Sequence, residues 1–273
     1  MPIAGKLKLF VMDQLLDDTI ISRDANHLYQ IISAKKPGSI SELSRISGIR
    51  RSKVRSECLS LAKAGWITTR TKSGRKTAVA AIPHHVQSMM AARLKAEREV
   101  TPRVGEFLMK SILDLLVADC EFIENARPAH LDSIHTNRPL EYDRQYLEPK
   151  VAFEFNGRQH YETTSMFPKE DALREQQIRD HIKVSLSVKN NVTLIVITEA
   201  DLTIEGMREK IGDLLPLREI DESGPYVRML ITLCQQYILI CRRLREKERK
   251  NAQTRAGGQP DAGTAPSETE VNI

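Results

Sequence analysis

The stretch Val151-Ala152-Phe153-Glu154-Phe155-Asn156-Gly157-Arg158-Gln159-His160-Tyr161 restricts the fold more than any other part of the chain. Val151, Phe153 and Phe155 recur at the two-residue period of a strand and form one apolar face. Ala152, Glu154 and Asn156 share the opposite face, which sets a carboxylate beside an amide. Gly157 follows where a tight turn needs it. Gln159 and His160, two groups able to bind a water or a phosphate, come straight after. Upstream, Asp143 ends the run Pro139-Leu140-Glu141-Tyr142-Asp143, and Glu148-Pro149 supplies a turn between the two segments. Paired as a hairpin, the strands bring Asp143 and Glu154 to one end of a sheet. Two carboxylates placed so suit a hard divalent cation such as Mg²⁺.

Charge divides the chain unevenly. Residues 1–105 carry 19 Lys and Arg against 8 Asp and Glu, and the rest carries 22 against 28. A basic front on an acidic remainder fits a polyanionic partner. Cys58, Cys120, Cys234 and Cys241 show no CxxC spacing, which argues against a zinc site or a disulfide framework and for a cytoplasmic protein. The most apolar late run, Met229 to Cys241, is too short to span a bilayer. No membrane role and no small-molecule substrate is expected.

In chain order, Leu7 to Leu16 forms a short apolar-periodic helix. Asp24 caps a second, carrying Leu28, Ile31 and Ile32 and ending at Pro37-Gly38. Ser39 and Glu42 form a capping box for a third helix that stops at Gly48. A fourth, roughly Arg51 to Ala64, turns Val54, Cys58 and Leu61 inward. Trp66 to Arg70 and Ala78 to Ile82 read as strands around a basic tip, Lys72 to Lys76. Pro83 to Glu99 is a connecting helix with Met89, Met90 and Leu94 as its apolar side, and Thr101-Pro102 marks a domain boundary. Arg103 to Val117 is an amphipathic helix inward at Val104, Leu108, Ile112 and Leu115. A strand at Cys120 to Ile123 precedes the hairpin. After it come a helix (Lys169 to Leu186, apolar at Ile178, Ile182 and Leu186), a strand (Val192 to Thr198) and a short helix (Ile204 to Leu214). A last helix, about Tyr226 to Lys250, begins apolar at Leu230, Leu233, Tyr237, Ile240 and Leu244 and ends charged; it is open between capping a domain and self-association. From Asn251 onward no apolar period remains, and disorder is expected.

Three helices followed by a basic hairpin, over residues 24–82, resemble a winged helix-turn-helix domain. The resemblance implies a major-groove position for the Arg51 helix and backbone or minor-groove contact for the wing. Arg50, Arg51, Lys53, Arg55, Arg70, Lys72, Arg75 and Lys76 are then phosphate or base contacts. A protein-docking role for such a fold is the competing reading.

Asp143, Glu154-Phe155-Asn156-Gly157 and Gln159-His160-Tyr161, with Arg179-Asp180-x-x-Lys183 and the Val192 strand, resemble the PD-(D/E)xK nuclease superfamily. The nearest branch is the one related to very-short-patch repair endonucleases, with its E-[FV]-[DN]-G-x-Q-H signature, over residues 103–215. The resemblance implies Asp143 and Glu154 as ligands of Mg²⁺ (or Mn²⁺), with the Phe155 carbonyl as a third. It implies His160 as general base or water-steering group, Gln159 as positioner of water or phosphate, Glu106 as an acidic residue near the metal, and Lys183 as a positive charge for the phosphate. Three departures stand out. Asn156 replaces the lysine two residues after the glutamate, Tyr142 replaces the proline, and Glu148-Pro149 inverts a Pro-Glu common in the branch.

The expected architecture is a two-domain α+β or α/β chain. Residues 1–82 form the winged helix, 83–102 a linker helix, and 103–215 a restriction-endonuclease-like mixed sheet flanked by helices. Residues 216–250 form a C-terminal helix, with a dimer as one use for it, and 251–273 a tail. The expected function is Mg²⁺-dependent hydrolysis of DNA phosphodiester bonds. The alternative is a DNA-binding regulator whose nuclease-like domain has lost activity.

Overall fold

The computed structural model describes residues 10–15, 17, 22–72, 75–118, 120–132, 139–157 and 170–256. Residues 10–15 are helical, with Val11 and Leu15 buried. Helices α1 (Arg23–Lys35), α2 (Ile40–Ser47) and α3 (Arg51–Lys63) come next, and then an antiparallel hairpin, β1 (Ile67–Lys72) and β2 (Arg75–Ala80). Trp66 is fully buried among them, its ring meeting Tyr29 edge-on at 5.5 Å.

The cap of α1 is Ser22, not Asp24. Its hydroxyl accepts from the Ala25 amide and donates to Glu57 on α3, so one side chain ends a helix and ties it to another. Asp24 sits in the first turn, where its charge favours the helix dipole. At α2 the box closes one residue early: Ser39 accepts from Glu42, but the Glu42 carboxylate accepts from Gly38.

Helix α4 (His84–Val100) packs along the final helix, α8 (Pro225–Ala256). Met90 and Leu94 face inward, whereas Met89 is exposed. Helix α5 (Val104–Leu116) is buried almost all round, not on one face. Leu108, Met109, Ile112, Leu113 and Leu116 are all in the core, and even Lys110 and Ser111 are covered. Such a helix is a central element rather than a surface one. One apolar cluster runs from Val11 through α1–α5 and the sheet to Cys234 on α8.

The sheet is mixed and four-stranded, in the order β3-β4-β5-β6. Strand β3 is Phe122–Ala126, starting later than the Cys120 expected from apolarity, because the ladder to β4 (Tyr142–Tyr146) begins with Phe122 opposite Tyr146. Strand β5 (Val151–Phe155) returns antiparallel through the 147–150 turn, whose Glu148-Pro149 bond is cis. Strand β6 (Thr193–Ile197) then joins β5 in parallel after helix α6 (Glu170–Lys189), and helix α7 (Ile204–Ile211) follows. Parallel neighbours need such a crossover.

Val151 and Phe153 bury on the α5 side and Ala152 on the α6 side, so the strand is covered on both faces. This leaves α6 as the second layer, with its inner line at Ile182, Lys183, Leu186 and Ser187. Ile178, expected inside, is 49% exposed. Polar partners across the interface replaced the apolar line: Lys183 has a carboxylate to meet, and the Ser187 hydroxyl lies 2.6 Å from the Tyr142 hydroxyl. On α8, Leu230 and Leu233 are buried, but Ile240 and Leu244 are exposed, and the helix continues to Ala256 rather than ending at Lys250. No helix of the described residues is long and apolar enough to cross a membrane.

Candidate functional site

The register of β4 on β5 pairs Arg144 with Phe153. Continued by one residue, it sets Asp143 opposite Glu154. The convergence expected from the hairpin is present. The Phe155 amide donates to Asp143 Oδ2 at 2.7 Å, which orients that carboxylate at the open end of β5. The expected third ligand used the carbonyl of Phe155; the contact seen uses its N–H.

Lys183 reaches in from α6 and donates to Glu154 Oε1 at 2.5 Å. It is buried, so it is no ordinary surface lysine. The backbone amide of Asp143 also acts on the Glu154 carboxylate and favours its charged form. Burial raises the Glu154 pKa, against the opposing pull of the Lys183 ammonium. For Asp143, burial first and then the charges of Glu154 and Glu106 push the pKa up to about 7. Two carboxylates in one dry place resist losing both protons unless a positive charge joins them.

Glu106 approaches from the first turn of α5, held there by Lys110 one turn on at 2.5 Å. Lys110 also meets Glu124 on β3 at 2.8 Å and Asn125 at 2.9 Å. Asn125 takes a left-handed φ of 48°, a conformation that Asn tolerates better than most residues. Burial works against the Lys110 ammonium, but its bonds to Glu106 and Glu124 outweigh this and hold its pKa above the ordinary value. Behind it, Arg144 is wholly buried, bound to Asp114 at 2.9 Å and Glu124 at 2.5 Å and lying over the Phe122 ring. Lys110, Glu124, Arg144 and Asp114 were not foreseen as neighbours of the site. A pattern reading counts charged residues as surface; the one local cue is the four-residue spacing of Glu106 and Lys110.

Gln159 and His160 lie outside the described residues, as do residues 158 and 161. Among the described residues, no three His, Cys, Asp or Glu side chains stand together as a ligand group.

At the other end, Arg50 precedes α3 without a side-chain cap, and its first turn holds no acid. Arg51, Lys53 and Arg55 are exposed there; Lys53 meets Glu57 at 2.6 Å. Arg70 on β1 is paired with Glu219 at 2.6 Å. Lys72, Arg75 and Lys76 fall on the strand ends of the hairpin, with Lys72 opposite Arg75, but their side chains lie outside the described set.

No family model matches the chain, and no solved structure matches it. Two viral proteins resemble part of it. The uncharacterized protein 094L of Frog virus 3 (isolate Goorha) is 38% identical over 78 residues, covering 28% of this chain and 50% of its own length. The uncharacterized protein 307L of Invertebrate iridescent virus 6 is 40% identical over 81 residues, 28% of this chain and 41% of its own length. The chain thus spans half or less of the curated relatives it matches, and the likeness extends over somewhat more than a quarter of the chain.

Proposed function

We propose that this chain is a divalent-metal-dependent DNA endonuclease of the PD-(D/E)xK kind, with residues 24–82 serving as a winged-helix DNA-binding unit. The observation that carries the reading is the meeting of Asp143, Glu154 and Lys183 at one end of the sheet. A buried carboxylate beside a second buried carboxylate is a donor set that suits an oxygen-seeking cation.

Asp143 and Glu154 would hold Mg²⁺ or Mn²⁺, which supplies Lewis-acid activation of the scissile phosphate and of the attacking water. Lys183 fills the role left vacant by Asn156. Its ammonium arrives from α6 and pairs with Glu154. With a cation held by the two carboxylates, Lys183 would be placed to face the developing charge on phosphate. His160 remains the proposed base, with Gln159 as the positioning group.

The basic start of α3 supports duplex binding. Three exposed cations at the positive end of a helix dipole oppose it, an arrangement that phosphate relieves. Supercoiled plasmid incubated with Mg²⁺ or Mn²⁺ tests the proposal. Wild type should nick or linearise it, and Glu154→Ala and Asp143→Ala should lose at least about a thousandfold, or about 4 kcal/mol of transition-state stabilisation. Intact salt-dependent DNA binding without cleavage under any metal would favour the regulator instead.

A further inference from the structure

We propose that the distal part of α8, from Arg242 onward, is a second DNA-contact element that grips phosphates flanking the cleavage site. The inference rests on the nuclease reading above. The proximal part of α8 is core: Tyr226, Val227, Leu230, Leu233 and Cys234 are buried. Tyr237 then brings the helix against the site, its ring centroid 6.2 Å from that of Phe155, the neighbour of Glu154. A methyl group on Gly105 would come within 2.8 Å of the Tyr237 hydroxyl, so α8 also abuts the turn that carries Glu106. Among the described residues, Cys241 is the last buried one of the helix.

Beyond it the composition changes sharply. Residues 242–250 read Arg-Arg-Leu-Arg-Glu-Lys-Glu-Arg-Lys, six cations against two acids. At 100° per residue, Arg243 and Lys250 fall opposite the buried line of Leu230, Cys234 and Cys241, with Arg242 and Lys247 on the two flanks, and all four are exposed. Arg245 is ion-paired with Glu199, in the turn directly after β6. That pair fixes the root of the basic segment near the carboxyl ends of β5 and β6. From residue 242 to Ala256 the helix extends about 20 Å, a length over which duplex DNA carries roughly a dozen phosphates.

A second copy is the rival occupant, and the pattern opposes it. The exposed apolar side chains Leu239, Ile240 and Leu244 are followed at the three- and four-residue spacing by Lys247 and Asn251, so an apolar seam stops after Leu244. Two such helices side by side would also set like charges together.

The test is fluorescence anisotropy on a 30-base-pair duplex of arbitrary sequence, in EDTA, between 50 and 200 mM NaCl. The triple variant Arg242→Gln, Arg243→Gln, Lys247→Gln should bind at least about tenfold more weakly at 100 mM salt. Its slope of log K against log salt should be shallower by about 2 to 3. Replacing the two arginines by lysine instead should restore binding, since a point charge suffices for phosphate. Unchanged affinity and slope in the glutamine variant would overturn the inference while leaving the nuclease reading intact. A fall in sedimented mass with an unchanged slope would overturn it in favour of self-association. If wild type itself shows no salt-dependent binding, the nuclease reading fails, and this inference with it.

Discussion

At the scale of single residues, Asp143 is the group whose chemistry is most displaced from that of an ordinary side chain. Its pKa stands near 7 in the fold, against roughly 4 for a free carboxylate. Between those values the folded protein holds a proton that the unfolded chain has lost. This contribution to stability is therefore full below about pH 4 and disappears as pH rises through 7. Urea denaturation of the metal-free protein should show stability falling from pH 5 to pH 8. Asp143→Asn should flatten that fall and raise stability at pH 8 by on the order of 1–2 kcal/mol, while abolishing cleavage. Destabilisation at pH 8 would refute the repulsion between Asp143 and Glu154. The opposite sign is expected at Lys183. Lys183→Met strands Glu154 in a buried place and should cost about 3–5 kcal/mol at pH 8, less at pH 5, where Glu154 can take up a proton instead.

At the scale of elements, the site depends on how closely α5 lies against β5 and α8. A Cβ at Gly105 would sit 2.1 Å from the Phe155 ring, closer than any real contact, so α5 can approach only because that position is glycine. Gly105→Ala should destabilise by about 1–3 kcal/mol despite its better helix propensity. It should also lower cleavage by pushing Glu106 away from Asp143. A variant as stable and active as wild type would mean that α5 shifts freely and that Glu106 has no positional role.

Most elements here were legible from periodicity, because strands such as Val151–Phe155 and helices such as α3 each bury an apolar line of their own. Asp143 and Glu154 were legible for the same reason: a hairpin of known turn sets its own register. What escaped was long-range and polar. The resemblance singles out Lys183 as a charge for the phosphate but not its bond to Glu154 across a sequence separation of 29, and Arg144 is buried by partners on β3 and α5. Nothing local in the sequence distinguishes these from surface charges. The inward line of α6 was misread at Ile178 on the same ground, since helix periodicity weighs apolar residues and the interface selected Lys183 and Ser187.

At the scale of the whole molecule, the helices around Trp66 and the sheet around Phe153 share one continuous apolar cluster. Such continuity predicts cooperative unfolding. Trp66, the chain's single tryptophan, reports on the first part, and far-ultraviolet circular dichroism reports on helices throughout. The two urea transitions should coincide; separated midpoints would mean that the parts around residue 102 melt independently. The shared core also has a functional consequence, because a duplex seated on α3 would be held in a fixed relation to Glu154.

The central claim, that Asp143 and Glu154 form a divalent-cation site at the end of β5, is met most directly by Mn²⁺ anomalous scattering. Crystals soaked in Mn²⁺ should show one strong peak between the two carboxylates, with Lys183 withdrawn from Glu154, and no peak in Glu154→Gln crystals. Wild-type crystals with Lys183 still bound to Glu154 and no peak there at millimolar Mn²⁺ would contradict it.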